Sequence, residues 1–223
     1  MSLRKIPVCK LVSHRKDLMV QMSSGKRVLH LGCADALHFH EKLNLDEFLH
    51  ARLQKSSNSL VGVDFAKDAI ERLKLLMPNS VFVQADVEKL DLGVTPLFEL
   101  IIAGELIEHL NNPGLFLERA KFHLVENGRI LITTPNITSF KVFMDGFRGR
   151  QHIHPDHSLG LTFSLLETLF DRHDLVIEDW YCSFETTGSR WNKRLNRLLS
   201  VFVERFPHIA DTLAVVVRRK NEK

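Results

Sequence analysis

Residues 98–110 read FELIIAGELIEHL, and this stretch decides the fold. Its apolar first half, interrupted only by Glu99, is typical of a strand buried inside a parallel sheet. Glu105, Glu108 and His109 follow directly, and their spacing of i, i+3 and i+4 predicts that the three side chains share one face of a helical turn. Because open α/β sheets bind ligands at the carboxyl ends of their strands, the stretch predicts a site at the end of a central strand.

The rest of the chain alternates short strand-like runs with helical stretches, which is the pattern of a parallel sheet. The runs predicted to form strands are residues 27–33, 60–65, 81–87, 98–103, 129–134, 175–184 and 213–218. The predicted helices cover residues 36–53, 66–77, 113–124, 164–172 and 191–206. The last strand can return antiparallel beside the sixth, because that connection needs no right-handed crossover.

Two segments depart from this alternation. About residues 135–162 have no clear period and are rich in Gly, His and Arg, so we interpret them as a lid or substrate loop. About residues 190–206 form an amphipathic stripe that we interpret as a helical insertion.

Size and composition indicate one domain that spans residues 1–223, with 44% hydrophobic residues and a net charge of only +3. This charge gives no strong signal for a polyanionic partner. Cys9, Cys33 and Cys182 are too few and too far apart for a disulfide framework, which favours a reducing compartment. No apolar run approaches the roughly 18 residues of a membrane helix, and no signal peptide is recognisable, so we expect a cytoplasmic protein without a transmembrane segment.

The first predicted strand runs into a turn that reads VLHLGCADA at residues 28–36. The turn resembles the cofactor loop of class I S-adenosylmethionine (SAM)-dependent methyltransferases, where glycines let the backbone approach the cofactor closely. Gly32 is kept, while Ala34 and Ala36 stand at the other two glycine positions and His30 replaces the usual acidic residue.

The motif that begins at Glu105 is similar to the Glu-x-x-Glu-His that ubiquinone-biosynthesis O-methyltransferases carry after their fourth strand. The resemblance covers about residues 25–220. It implies a three-layer α/β/α Rossmann-like sandwich with a seven-stranded, mainly parallel sheet and an antiparallel last strand. It also implies SAM as the cofactor. The residues implied to bind SAM are His30, Gly32, Cys33, Ala34, Asp64, Phe65, Asp86, Val87, Gly104 and Glu105.

Asp64 ends the second strand, where a carboxylate can accept hydrogen bonds from both hydroxyls of an adenosine ribose. The resemblance implies that Phe65 packs against the adenine and that Asp86 lies near its amino group. The alternative is that either aspartate is a helix cap.

Three interpretations of Glu105, Glu108 and His109 stay open. Two carboxylates and an imidazole suit a divalent ion, Mg²⁺ or Mn²⁺ more than Zn²⁺, which would hold a substrate hydroxyl and lower its pKa. In the second interpretation His109 is a general base and Glu108 orients its ring. In the third, Glu105 lines the cofactor pocket while Glu108 and His109 only stabilise the local turn.

The lid contains QHIHPDHSL at residues 151–159, after Thr134-Pro135-Asn136. RNA 3′-terminal 2′-O-methyltransferases have a comparable Asp-His that supplies a further metal ligand, and the corresponding residue here is His157, with His154 as its neighbour. The resemblance therefore implies His109, His157 and Glu108 as catalytic residues and Glu105, Glu108, His109 and His157 as a metal-ligand set. The following Leu-Gly-Leu departs from that RNA-modifying group, and a solvated turn is the alternative.

The resemblance implies methyl transfer to a small-molecule acceptor, through a hydroxyl oxygen of a quinone-like or lipid-like compound or of a sugar. RNA ribose ranks below these acceptors, because few aromatic residues accompany the basic ones. A non-catalytic scaffold with the same fold is the alternative from another class. A nicotinamide-dependent dehydrogenase is a weaker alternative, because its fingerprint needs glycine where Leu37 stands.

Overall fold

A computed structural model describes residues 5–34, 47–93, 97–151, 154–184 and 203–220 of the chain. Its strands are β1 Lys10–Val12, β2 Arg27–Leu31, β3 Ser59–Asp64, β4 Val81–Gln84, β5 Phe98–Gly104, β6 Leu124–Pro135, β7 Leu175–Ser183 and β8 Thr212–Arg219. They form one sheet in the order β1-β7-β8-β6-β5-β2-β3-β4. All neighbouring strands are parallel except β8, which runs antiparallel between β6 and β7.

The predicted α/β class, the mainly parallel sheet and the antiparallel last strand are confirmed, whereas the predicted count of seven strands is wrong, because the described residues alone form eight. The additional strand is β1, which pairs in parallel with β7 at the edge of the sheet, with Leu11 opposite Cys182. A three-residue edge strand is too short to show the alternation by which strands are recognised in a sequence.

The helices flank this sheet. They are α1 Arg15–Ser23, α2 Leu49–Ser56, α3 Lys67–Leu76, α4 Pro113–Phe122, α5 Phe140–Phe147 and α6 Phe163–Arg172. Part of the helix predicted over residues 36–53 lies outside the described residues, as does most of the amphipathic helix predicted over about residues 190–206. No helix among the residues that the structure describes is long and apolar enough to cross a membrane.

The predicted lid segment contains the helix α5, so the prediction that this segment has no period is wrong over residues 140–147, where Phe140, Phe143, Met144 and Phe147 recur at helical spacing. Ser139 caps this helix, because its hydroxyl accepts a hydrogen bond from the backbone N–H of Val142 at 3.2 Å. None of the residues of α5 is buried. Its apolar stripe therefore does not face the described core, and Phe143 and Phe147 are 66% and 82% exposed.

Both faces of β5 are covered, which explains its nearly unbroken apolar sequence. Ile101 and Ala103 belong to the same core cluster as Phe116 of α4. Leu100 and Ile102 belong to a second cluster, together with Leu18 of α1. Helices therefore cover both faces of the sheet, and β5 delivers the residues that follow it to the carboxyl edge.

Candidate active site

A cavity of about 540 Å³ lies at the carboxyl ends of β2, β3 and β5. The residues described along its wall are Arg15, Lys16, Met19, His30, Gly32, Cys33, Phe48, Leu49, Asp64, Gly104, Glu105, Leu106, His109, His154, Asp156 and His157. Its position, beside the strands where parallel sheets bind ligands, is the one predicted from the sequence.

The turn after β2 is held against the end of β3. Gly32 has a φ of +71°, a left-handed conformation that favours glycine. The backbone N–H groups of Gly32 and Cys33 both donate to the carbonyl of Val63, at 2.9 and 3.1 Å. The turn thus approaches β3 closely even though alanine stands at position 34, where related turns have glycine.

Asp64 fixes the same turn through its side chain. One carboxylate oxygen accepts from the N–H of Ala34 at 2.9 Å, and the other accepts from the N–H of Ala66 at 3.0 Å. The N-cap residue of α3 is Ala66, which has no side-chain cap bond, so the alternative that Asp64 is a helix cap is wrong, and Asp64 lines the cavity instead. Each carboxylate oxygen keeps a second lone pair with which it can accept a further hydrogen bond.

The other predicted cofactor residues divide into two groups. His30, Gly32, Cys33, Asp64, Gly104 and Glu105 line the cavity. Ala34, Phe65, Asp86 and Val87 are not among the lining residues that the structure describes. Phe65 is 73% exposed, Asp86 accepts a hydrogen bond from the N–H of Glu88 at 2.9 Å, and Val87 is buried in the core.

His30, which lines the cavity, forms a buried pair with His50. Their Nδ1 atoms are 3.2 Å apart and their rings stack at a centroid distance of 5.4 Å. Burial lowers the pKa of His50 to about 4, and burial followed by the charge of His50 lowers the pKa of His30 well below its usual range. Both rings are therefore neutral at physiological pH.

We expect this pair to make folding stability depend on pH. Because the pKa of His50 in the folded state lies below the unfolded value of about 6.5, the unfolded chain binds more protons as the pH falls from 6.5 towards 4. Stability is therefore complete above pH 6.5 and decreases below it, by about 1 to 1.5 kcal/mol for His50 between pH 7.5 and 5.5. Urea unfolding across that range measures the decrease.

The variant with both His30→Leu and His50→Leu should lose most of this slope, while the half-buried His208→Gln serves as the control. Equal slopes in the wild type and the double variant would show that other groups cause the acid sensitivity.

The turn after β5 separates the predicted motif into two parts. Glu105 has a φ of +49°, and the short 3₁₀ turn that follows begins only at Ile107 and ends at His109. The prediction that Glu105, Glu108 and His109 share one helical face is therefore wrong for Glu105. Its N–H donates to the carbonyl of Thr133 at 3.0 Å, and the Thr133 hydroxyl donates to its carboxylate at 3.0 Å.

The structure instead brings Glu108 and His109 together with His157 from the lid. Each offers one ligand atom, and these atoms all lie within 4.8 Å of one another. Glu105, the fourth residue of the predicted metal set, is not part of this group. The ring centroids of His109 and His157 are 4.6 Å apart, and those of His154 and His157 are 5.2 Å apart.

The side chain of Glu108 is buried without a hydrogen bond to its carboxyl group among the described residues. It is 1% exposed, and neither carboxylate oxygen has a hydrogen-bond partner among the described residues. Burial, followed by the charge of Glu105, raises its pKa to about 8. A buried carboxyl group without partners is costly, so this side chain is suited to a cation or a donor that the folded chain itself does not supply.

His109 is held in one tautomer by the lid. Its Nδ1 lies 3.1 Å from the backbone carbonyl of Asp156, which can only accept, so Nδ1 must carry the proton. The N–H groups of Ser158 and Leu159 bind the carbonyl of Glu108 at 2.9 and 3.2 Å and join the lid to the same turn. Nε2 is therefore the ring nitrogen that can bind a metal or accept a proton.

Several cavity residues were not identified from the sequence. Arg15, Lys16 and Met19 come from α1, which was not predicted at all, and Asp156 belongs to the lid. Only Leu18, Met19 and Ser23 of α1 are buried, so its apolar pattern is weak. The sequence feature that could have indicated this helix is the charged pair Arg15-Lys16 after His14, whose side chain caps the helix.

Comparison with known proteins finds similarity to methyltransferases. A family model described as a methyltransferase domain matches residues 9–202. The chain is similar to pavine N-methyltransferase from Thalictrum flavum subsp. glaucum, with 24% identity over 189 residues that cover 79% of this chain and 50% of that protein. The chain therefore spans about half the length of this curated relative.

Solved structures show the same fold. A putative methyltransferase from Bacillus halodurans C-125 has a TM-score of 0.63 and 14% identity, over 93% of this chain and 99% of that chain. The N-methyltransferase NodS from Bradyrhizobium japonicum WM9, in complex with S-adenosyl-L-homocysteine (SAH), has a TM-score of 0.58 and 13% identity, over 93% of this chain and 86% of that chain.

Proposed function

Because the chain belongs to the methyltransferase domain family, we propose that it binds SAM in the cavity at the ends of β2, β3 and β5 and transfers the methyl group to a hydroxyl oxygen. The proposed acceptor is a quinone-like or lipid-like compound or a sugar. The observation that carries the proposal is His109 on the wall of the cavity, whose Nδ1 is bound to the carbonyl of Asp156 so that Nε2 is the ring atom left to accept a proton.

In the proposed reaction a lone pair of the acceptor oxygen attacks the methyl carbon, the carbon–sulfur bond breaks, and its electron pair returns to sulfur to give SAH. The acceptor proton moves to Nε2 of His109. Holding donor and acceptor in line supplies much of the rate enhancement. The carbonyl of Asp156 stabilises the imidazolium that forms, because Nδ1–H remains hydrogen-bonded to it.

As an alternative to His109 acting as the base, Glu108, His109 and His157 fit a divalent cation. The buried carboxylate of Glu108 lacks a partner, and two imidazoles with one carboxylate suit Mn²⁺ better than Mg²⁺. When bound, such an ion would lower the pKa of an acceptor hydroxyl. The three side chains would hold it, and the carbonyl of Asp156 would orient the ring of His109.

The metal proposal predicts that the purified protein, freed of metal with EDTA, binds one Mn²⁺ per chain in a calorimetric titration. The isosteric variant Glu108→Gln should bind Mn²⁺ at least about 10-fold more weakly. Mutation of a residue that only hydrogen-bonds to a metal ligand already costs that much, and this change removes the charge of a ligand itself. Asp68→Asn, on the exposed first turn of α3, is the control. Absence of Mn²⁺ binding in the wild type would contradict the metal proposal and leave His109 as a base that acts without a metal.

The acceptor atom needs its own test, and an amine nitrogen is the second candidate. Two proteins similar to this chain, pavine N-methyltransferase and NodS, are named as N-methyltransferases. Transfer of radiolabelled methyl from SAM should be measured with panels of phenols, sugars, small amines and a short RNA. Label only in the amine panel would replace the hydroxyl proposal, and label in the RNA would assign a ribose acceptor.

Cofactor binding is tested first, by calorimetric titration with SAM and SAH. Micromolar binding of either ligand supports the proposed reaction. No binding of either ligand would overturn it in favour of a non-catalytic protein with this fold.

A further inference from the structure

The helix α5 exposes an apolar face to solvent. Phe143 and Phe147 are about one helical turn apart, so both side chains lie on the same side of the helix, and both residues are mostly exposed. Neither ring belongs to a hydrophobic cluster formed by the described residues. Neighbouring exposed apolar side chains mark an interaction surface, whereas scattered single ones do not. These two side chains form the phenylalanine face of α5.

Basic residues flank the phenylalanine face. Lys141 and Arg148 are seven residues apart and therefore lie along one side of the helix, and Arg150 follows shortly after its end. All three residues are exposed. Asp145 is the only acidic residue in the sequence from 137 to 151, and its carboxylate lies 4.0 Å from the guanidinium group of Arg148. Three basic residues against one acidic residue leave a net positive charge beside the apolar face.

A bilayer of anionic phospholipids matches both properties of this helix. An amphipathic helix can lie in the plane of the membrane surface with its apolar side chains between the lipids, where burial of each phenylalanine is favourable. The stems of lysine and arginine can follow the apolar region while their charged groups reach the anionic headgroups. A second copy of this chain fits less well, because its own α5 would bring a second net positive charge to the contact.

We propose that α5 anchors this chain to the surface of an anionic membrane. Phe143 and Phe147 insert between the lipids, and the three basic residues bind the headgroups. The helix belongs to the same lid segment as His154 and Asp156, which line the cavity. Anchoring at α5 therefore keeps the lid close to the lipid surface. The proposal does not depend on the identity of the methyl acceptor or on SAM binding.

Sedimentation of the full chain with sucrose-loaded vesicles tests the proposal. Vesicles of phosphatidylglycerol and phosphatidylcholine in equal parts should bind the wild type at least about 10-fold more strongly than vesicles of phosphatidylcholine alone. Each basic residue near an anionic surface contributes about a fivefold gain in affinity, and the single acidic residue offsets part of the total. High salt should weaken binding to the mixed vesicles, because it screens the attraction between surface charges.

The phenylalanine face is tested by a variant with both Phe143→Ser and Phe147→Ser. It should bind the mixed vesicles at least about 10-fold more weakly, because two apolar side chains no longer enter the lipid. The matched control combines Leu115→Ser and Phe122→Ser, which remove two exposed apolar side chains from one side of α4. This control should bind as the wild type does.

The basic flank is tested by combining Lys141→Gln, Arg148→Gln and Arg150→Gln. This variant should bind the mixed vesicles about 100-fold more weakly, and its weak binding to phosphatidylcholine vesicles should stay unchanged. The control makes the same change in net charge on the exposed side of α3, with Lys67→Gln, Arg72→Gln and Lys74→Gln. Its affinity for the mixed vesicles should change much less, because those residues lie outside α5.

The proposal is overturned if the wild type does not bind the mixed vesicles, or if both α5 variants bind as the wild type does. It is also overturned if the phenylalanine variant lowers the midpoint of thermal unfolding more than its α4 control, since another part of the chain then covers the face. A wild-type dimer in light scattering that becomes a monomer in the phenylalanine variant would assign the face to a second copy of the chain instead.

Discussion

His109→Gln is expected to lower kcat by about 100- to 10,000-fold, the range for loss of a general base, while the Kd for SAH changes less than about twofold. The imidazole is replaced by an amide that cannot accept a proton at neutral pH. Its Nδ1–H bond to the carbonyl of Asp156 can be retained by the glutamine amide group, so the turn and the lid should stay joined. Initial-rate kinetics on the best acceptor, with SAH titrations beside them, measure both quantities.

The control for His109→Gln is His208→Gln, which makes the same chemical change in a half-buried histidine outside the described cavity wall. It should leave kcat and the SAH affinity unchanged. Wild-type kcat in His109→Gln would exclude the proposed base. An equal loss of SAH binding and of kcat would assign His109 to cofactor binding or to the shape of the turn.

The central strand and the acidic residue after β3 could be predicted from the sequence because their signals are local. An apolar run between covered faces forms β5, and Asp64 follows an apolar run of its own. The carboxyl ends of parallel strands meet at one edge, so the order of these residues along the chain is enough to bring them to one cavity.

The conformation of Glu105 could not be predicted, because contacts with a distant strand determine it. The i, i+3, i+4 argument assumes that a right-handed helix begins at Glu105. The backbone there is left-handed, and its N–H is bound to Thr133, which lies 28 residues further along the chain. The ligand group of Glu108, His109 and His157 depends likewise on the lid folding back over the turn.

The contribution of α1 was missed for a similar reason. Its sequence has a weak apolar pattern, and its place at the cavity comes from the fit between Met19 and Gly104, which are far apart in the sequence. A glycine at the end of an apolar strand suggests close approach of some other group. Which group approaches is visible only once the chain is folded.

Asp64→Ala is expected to weaken SAH binding by at least about 100-fold, because it removes a carboxylate that can make two charged hydrogen bonds to the ribose hydroxyls. It also removes the acceptors for the N–H groups of Ala34 and Ala66, so the turn after β2 should lose part of its anchoring. Calorimetric titration gives the affinity, and thermal unfolding gives the loss of stability. Asp68→Ala, on the first turn of α3, is the matched control and should change neither quantity appreciably.

The direct ribose contact is separated from the anchoring of the turn by a second ligand, the 2′-deoxy analogue of SAH. If Asp64 accepts the ribose hydroxyls, the wild type should bind this analogue more weakly than SAH. Asp64→Ala should then bind the two ligands almost equally, because the carboxylate that distinguishes them is gone. If the variant loses the same factor in affinity for both ligands, Asp64 acts through the hydrogen bonds to Ala34 and Ala66 alone, and the ribose must be bound by other residues.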